Sequence, residues 1–107
     1  MKTLWFRGCF RAAILRGEKT DTIRMTCRLR EGEHVALSVG PRPAFARARV
    51  TRITRVTLAD LCAERRAQVL ACYPDLGPAA LVWRIEFELV ENVPADDPAL
   101  APAGAQA

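Results

Sequence analysis

The segment Gly17-Glu18-Lys19-Thr20-Asp21-Thr22-Ile23-Arg24 gathers one ammonium, two hydroxyls and one guanidinium within eight residues. In an extended chain, alternation puts Thr20, Thr22 and Arg24 on one face, with Lys19 at the corner. Donors grouped this way suit a phosphate, a carbonyl or a base edge. They also allow nucleophilic chemistry. A threonine hydroxyl is a weak nucleophile at neutral pH and needs a base beside it. A lysine serves as that base when burial or neighbouring cations depress its pKa, and Arg24 is such a neighbour. The same composition also fits a solvated edge strand, because Thr favours strands.

The flanking elements must position these groups. Residues 8–16 read as a short helix, with Phe10, Ala13 and Ile14 at helical spacing on one face. Gly17 then falls where a helix end wants a left-handed residue. Lys19 to Met25 reads as a strand whose Ile23 and Met25 turn toward a core. A first strand over Thr3–Phe6 is compatible with the pattern. Glu31-Gly32-Glu33 is a turn, and Val35, Leu37 and Val39 alternate as a half-buried strand. Phe45 to Val56 is a long strand with a change of parity. Ala46, Ala48 and Val50 share one face and Ile53 the other, which predicts a β-bulge near Thr51 or Arg52. Thr57-x-x-Asp60 is a capping box, predicting a second helix from Thr57 to about Cys72. Leu81, Trp83, Ile85, Phe87 and Leu89 then alternate against Arg84, Glu86 and Glu88 as the last strand. Several bent strands with two helices predict an α+β fold built on a small β-barrel of five to six strands.

Composition narrows the class. With 107 residues, half of them hydrophobic, the chain suits one domain with its own core. Residues 91–107 contain three prolines, no aromatics and no basic residue, and are expected to be a disordered tail. All 16 basic residues but only nine of the 12 acidic ones lie in residues 1–90, leaving that segment at +7. Fourteen of the cations are Arg, whose planar fork matches phosphate. Such a body fits a polyanion partner, nucleic acid above all, although Arg enrichment also follows from a GC-rich genome. Arg47, Arg49, Arg52 and Arg55 would extend the basic surface, but the parity change keeps them from sharing one face.

Cys9, Cys27, Cys62 and Cys72 form no C-x-x-C pair, and the only histidine, His34, opens a strand. The cysteines are therefore expected to be free thiols, mostly buried as small hydrophobes. No metal and no cofactor is expected. No apolar run reaches the roughly 18–20 residues of a membrane span, and the N-terminal apolar stretch is too short for a signal peptide. A cytoplasmic monomer or weak dimer is the simplest expectation.

The run Ile14-Leu15-Arg16-Gly17-Glu18-Lys19-Thr20-Asp21-Thr22-Ile23-Arg24 resembles the signature of the ASCH domain family, roughly I-L-x-G-x-K-T-x-T-x-R after a short helix. The likeness continues through Leu29-Arg30-Glu31-Gly32-Glu33, Val56-Thr57-Leu58, Tyr73-Pro74 and Ile85-Glu86-Phe87, so it spans about residues 5–90. It implies an ASCH domain over residues 1–90, a PUA-like barrel, and a basic cleft for RNA or a modified nucleoside. Gly17, Thr20, Arg24, Arg47 and Arg49 would then contact the ligand. The sequence is also similar to one branch, the bacterial N4-acetylcytidine amidohydrolases. That similarity implies Lys19 as base and Thr22 as nucleophile. Glu64, the one carboxylate between Leu61 and Tyr73, would be the proton donor, unless it is a solvated helix residue. Ribonuclease activity occurs in the family too, but no residue here is specific to it.

Overall fold

The computed structural model describes residues 1–92, and most of the expected C-terminal tail lies outside them. Strand β1 (Lys2–Phe6) leads into a 3-10 turn (Gly8–Phe10) that continues as helix α1 (Arg11–Leu15). Strands β2 (Asp21–Arg24), β3 (His34–Val39) and β4 (Ala46–Thr57) follow. A second 3-10 turn (Leu58–Asp60), helix α2 (Ala63–Cys72) and strand β5 (Leu81–Asn92) complete the chain. Strand β5 therefore takes in Glu91 and Asn92, two residues past the expected domain boundary.

The five strands form one mixed sheet in the order β1-β3-β4-β5-β2. β1 pairs with β3 in parallel, and all other pairs are antiparallel. The expected α+β class and two helices are present, but the sheet is not closed into a barrel. Its edges are β1 and β2, and a side chain bridges them. Arg24 Nη2 donates to the Trp5 carbonyl at 2.6 Å.

β4 and β5 form the long central ladder. Ala46, Ala48 and Val50 are fully buried, as their parity predicts. One register shift falls between Val50 and Arg52, at the parity change read from the sequence. Beyond it, the Glu31 carboxylate accepts from the Ile53 N–H at 2.9 Å. Ile14 anchors α1 in a core with Leu4, Phe6, Val35, Leu37, Phe45, Ile85 and Phe87. Fully burying a side chain of this size is worth roughly 1.5–3 kcal/mol. The Phe6 and Phe87 rings meet edge to face at 6.1 Å, fixing the end of β1 against β5.

Three local expectations need correction. The region read as one helix from Thr57 splits in two. Asp60 does accept from the Thr57 N–H, at 3.3 Å, but this closes only the 3-10 turn. Leu61 is then extended, and α2 starts at Ala63. Ile23 and Met25 do not join the core. Ile23 stands opposite Arg84, whereas Thr22 stands opposite the core residue Ile85, so the core-side face of β2 is the one carrying Thr22. The four cysteines are free, but Cys9, Cys62 and Cys72 are exposed and only Cys27 is partly buried. They sit on turns and helix ends whose apolar neighbours pack elsewhere.

Candidate functional site

The chain reversal after α1 sets up the site. Gly17 has φ +77°. Its N–H donates to Ile14 O at 3.0 Å, and the Glu18 N–H donates to Ala13 O at 2.9 Å. These two bonds are a Schellman motif, in which the left-handed residue ends the helix and satisfies its last carbonyls. The Lys19 N–H also reaches Ala13 O. The turn thus delivers Lys19 and then β2 to one side of a cleft.

That cleft has a volume of about 380 Å³ and is walled by three elements. The end of β1 supplies Trp5 and Phe6, with Arg7 just beyond; β2 supplies Thr22 and Arg24; α2 supplies Arg65, Gln68, Val69 and Cys72. Lys19, Phe10 and Tyr73 complete the working surface, and Ile23 and Met25 also line it. Among the described residues no carboxylate lines the cleft.

Apart from Arg65, no cation there forms an ion pair with a carboxylate among the described residues. Lys19 Nζ lies 4.7 Å from the centre of the Phe10 ring, and the Arg24 guanidinium lies 5.0 Å from that of Phe6. Ring faces attract cations but leave their donors available. Arg24 Nε donates to Thr22 Oγ1 at 3.0 Å, so the Thr22 oxygen accepts there and its hydroxyl hydrogen is directed away from Arg24. Arg7 Nη2 contacts Cys72 Sγ at 3.5 Å. Burial lowers the Lys19 pKa, and the nearby Arg65 and Arg24 charges push the same way, against Asp21. Burial also lowers that of Arg24, which remains charged at any physiological pH.

Asp21 organises the wall behind the cleft. It is buried, accepts from Arg65 of α2, and accepts from Arg84 Nε of β5 at 2.8 Å. Burial alone would raise its pKa, but the hydrogen bonds and charges of Arg84 and Arg65 bring it below the ordinary value. The pair ties α2, which has no buried residue of its own, to the sheet.

The structure therefore brings Lys19, Thr22 and Arg24 together and leaves out the other candidates. Glu64 is exposed in the first turn of α2 and does not line the cleft; its neighbour Arg65 does. Gly17 shapes the turn but stands clear of the cleft, with nothing within 4 Å of where a Cβ would lie. Thr20 is exposed, and its carbonyl accepts from the Phe87 N–H. Arg47 and Arg49 have the parity opposite to the buried Ala46, Ala48 and Val50, so they project from the outer face. Arg49 there binds Glu88 through two nitrogens, at 3.0 and 2.7 Å.

Sequence reasoning missed Trp5, Phe6, Arg7, Phe10, Arg65 and Tyr73. One signal was present for α2. Arg65, Gln68, Val69 and Cys72 are spaced i, i+3, i+4 and i+7, a single helix face. Their mixed polarity hides it from a search for apolar stripes. Among the described residues no cluster of His, Cys, Asp or Glu could hold a metal ion. No helix among them is long and apolar enough to cross a membrane.

No protein-family model matches the chain, and neither does any curated protein sequence. Solved structures do. An ASCH domain from Lactobacillus crispatus JV V101 superposes with a TM-score of 0.68 at 10% identity, covering 85% of this chain and 80% of the other. A protein of Enterococcus faecalis V583 assigned to the family DUF984 gives 0.67 at 17% identity, covering 87% and 82%. A variant of ZmASCH from Zymomonas mobilis gives 0.65 at 14% identity, covering 97% and 82%. The chain has the ASCH-domain fold, as the signature around Lys19 led one to expect.

Proposed function

We propose that the cleft binds a nucleotide within single-stranded RNA, or a free nucleotide. One observation carries this reading: a cleft of about 380 Å³ lined by Arg7, Lys19, Arg24 and Arg65, with aromatic rings beside them and, among the described residues, no carboxylate on its walls. Cations on a surface free of acids attract a polyanion. Rings beside them give a base something to stack on. The Thr22 hydroxyl and the Gln68 amide add polar contacts that suit a base edge or a ribose. Isothermal titration with cytidine 5′-monophosphate and with cytidine compares the charged and neutral ligands. Tighter binding of the monophosphate, weakening as salt rises, is the expected result. Equal affinity for both, or no binding of either, would overturn the reading.

A second reading, amidohydrolysis of N4-acetylcytidine, is favoured by the lowered pKa of Lys19 in the same cleft as Thr22. In that reaction Thr22 Oγ attacks the acetyl carbon as neutral Lys19 takes the hydroxyl proton. The Arg24 Nε hydrogen bond stabilises the oxygen as it becomes anionic. Lys19 then returns the proton to the cytosine N4 as the C–N bond breaks. Water finally hydrolyses the acetyl-threonine ester, releasing acetate. Glu64 has no part in this scheme, because it is outside the cleft. Incubation with N4-acetylcytidine should release cytidine at a rate that rises with pH as Lys19 deprotonates. Lys19→Ala and Thr22→Ala should each abolish the reaction, and absence of cytidine with the unaltered protein removes this reading.

A further inference from the structure

A second, smaller cavity of about 150 Å³ lies on the far side of the Gly8–Phe10 turn. Gly8, Arg11, Val39, Arg42, Pro43 and Phe45 line it. Its volume is well below the roughly 300–1,000 Å³ of pockets that enclose drug-sized ligands. Its chemistry is that of a small oxyanion site, with two guanidinium groups, apolar walls and, among the described residues, no acidic group.

Arg11 gives the cavity its direction. Its guanidinium stacks over the Phe45 ring at 5.7 Å, and its buried Nε has no hydrogen-bond partner among the described residues. A buried donor left without an acceptor destabilises the fold, more so when the group is charged. Such groups are rare in folded proteins, and an oxyanion entering the cavity would supply this one with an acceptor. Arg42, exposed on the loop between β3 and β4, stands at the same cavity to share an incoming oxyanion.

The position of the cavity indicates which oxyanion. Arg7 and Phe10 line the nucleotide cleft, while Gly8 and Arg11, their chain neighbours, line this cavity. The Gly8–Phe10 turn contributes residues to both sites, so they are neighbours on the surface. A single strand crossing that turn can engage both. We infer that the Arg11–Arg42 cavity holds a backbone phosphate of a single-stranded RNA whose nearby nucleotide occupies the cleft. This rests on the cleft reading above and makes the preferred ligand an oligonucleotide.

Fluorescence anisotropy with a 5′-fluorescein-labelled uridine octamer tests the inference, with cytidine 5′-monophosphate as the ligand confined to the cleft. Arg11→Gln and Arg42→Gln should each weaken octamer binding about five- to tenfold and leave monophosphate affinity within twofold. The slope of log affinity against log salt should become shallower by about 0.7 when one phosphate contact is lost. Unchanged monophosphate binding also shows that each variant is folded, and Arg42→Gln, on an exposed loop, carries the test if Arg11→Gln is unstable. Wild-type octamer affinity and slope in both variants would overturn the second site while leaving the cleft reading intact. Loss of octamer binding in the variants, with no monophosphate binding by the unaltered protein, would support the second site and overturn the cleft. A cavity that binds inorganic phosphate but contributes nothing to octamer affinity would overturn the RNA assignment.

Discussion

The outer face of β4 and the cleft both present arginine, but to opposite effect. On β4, Arg49 meets Glu88 on the neighbouring strand and is neutralised there. In the cleft, Arg24 is held by a threonine oxygen, a backbone carbonyl and an aromatic ring, none of which carries a charge. Arg7 and Lys19 likewise have a thiol and a ring as neighbours. A basic surface is thus not one property spread over the molecule. The proposed anion site is the region where Arg7, Lys19 and Arg24 form no ion pair with a carboxylate among the described residues, and net charge does not reveal where that is.

The largest effect should separate these two regions. Lys19→Ala should weaken cytidine 5′-monophosphate binding by roughly tenfold or more, the scale of one hydrogen bond to a charged group. Arg49→Ala should leave it within twofold, since its charge is already matched and it faces away. Equal losses in calorimetric titrations of the two variants would erase the distinction.

Asp21→Asn is expected to come next. It leaves Arg65 and Arg84 without their shared carboxylate and should cost about 2 kcal/mol in urea unfolding at neutral pH. Because the folded Asp21 pKa is lowered, its contribution is present above the ordinary carboxylate pKa and is lost as pH falls through the folded value. The difference between the two proteins should therefore shrink in acid. The variant should also bind ligand less well, since Arg65 and α2 lose their tie to the sheet.

Gly17→Ala should cost about 1 kcal/mol, because φ is +77° there and a Cβ strains the left-handed conformation even with open space around it. Thermal unfolding would show the loss, and ligand contacts themselves should be intact. The smallest effect has the opposite sign. Lys19→Met should raise the melting temperature slightly near neutral pH while weakening binding about as much as Lys19→Ala does. Folding lowers the Lys19 pKa, so the unfolded chain binds more protons between the folded and ordinary values, and wild-type stability rises with pH across that window. The variant's advantage should narrow as pH climbs through it.

The part of this site written in local spacing was legible in the sequence. Gly17 at the helix end and the shared parity of Thr22 and Arg24 follow from backbone rules that act over a few residues. The bulge after Val50 was readable for the same reason. The partners of these residues were not. Trp5, Arg65 and Tyr73 come from elements up to about 70 residues apart, and only the sheet order brings them to one place. Parity also says which residues share a face but not which face is inward. That is why Ile23 and Met25 were expected in the core, when pairing with Ile85 turns Thr22 toward it. Glu64 illustrates a similar limit. Its type and region suited a proton donor, but the break at Leu61 sets the phase of α2, and that phase points Arg65 into the cleft.

The most direct test is to titrate isotope-labelled protein with cytidine 5′-monophosphate and map the amide shifts by NMR. Changes should cluster at Lys19 to Met25, at the end of β1 and along the Arg65–Gln68–Val69–Cys72 face of α2, and should fade at high salt. Changes confined to the outer face of β4, or none at saturating ligand, would contradict the placement of binding in the cleft.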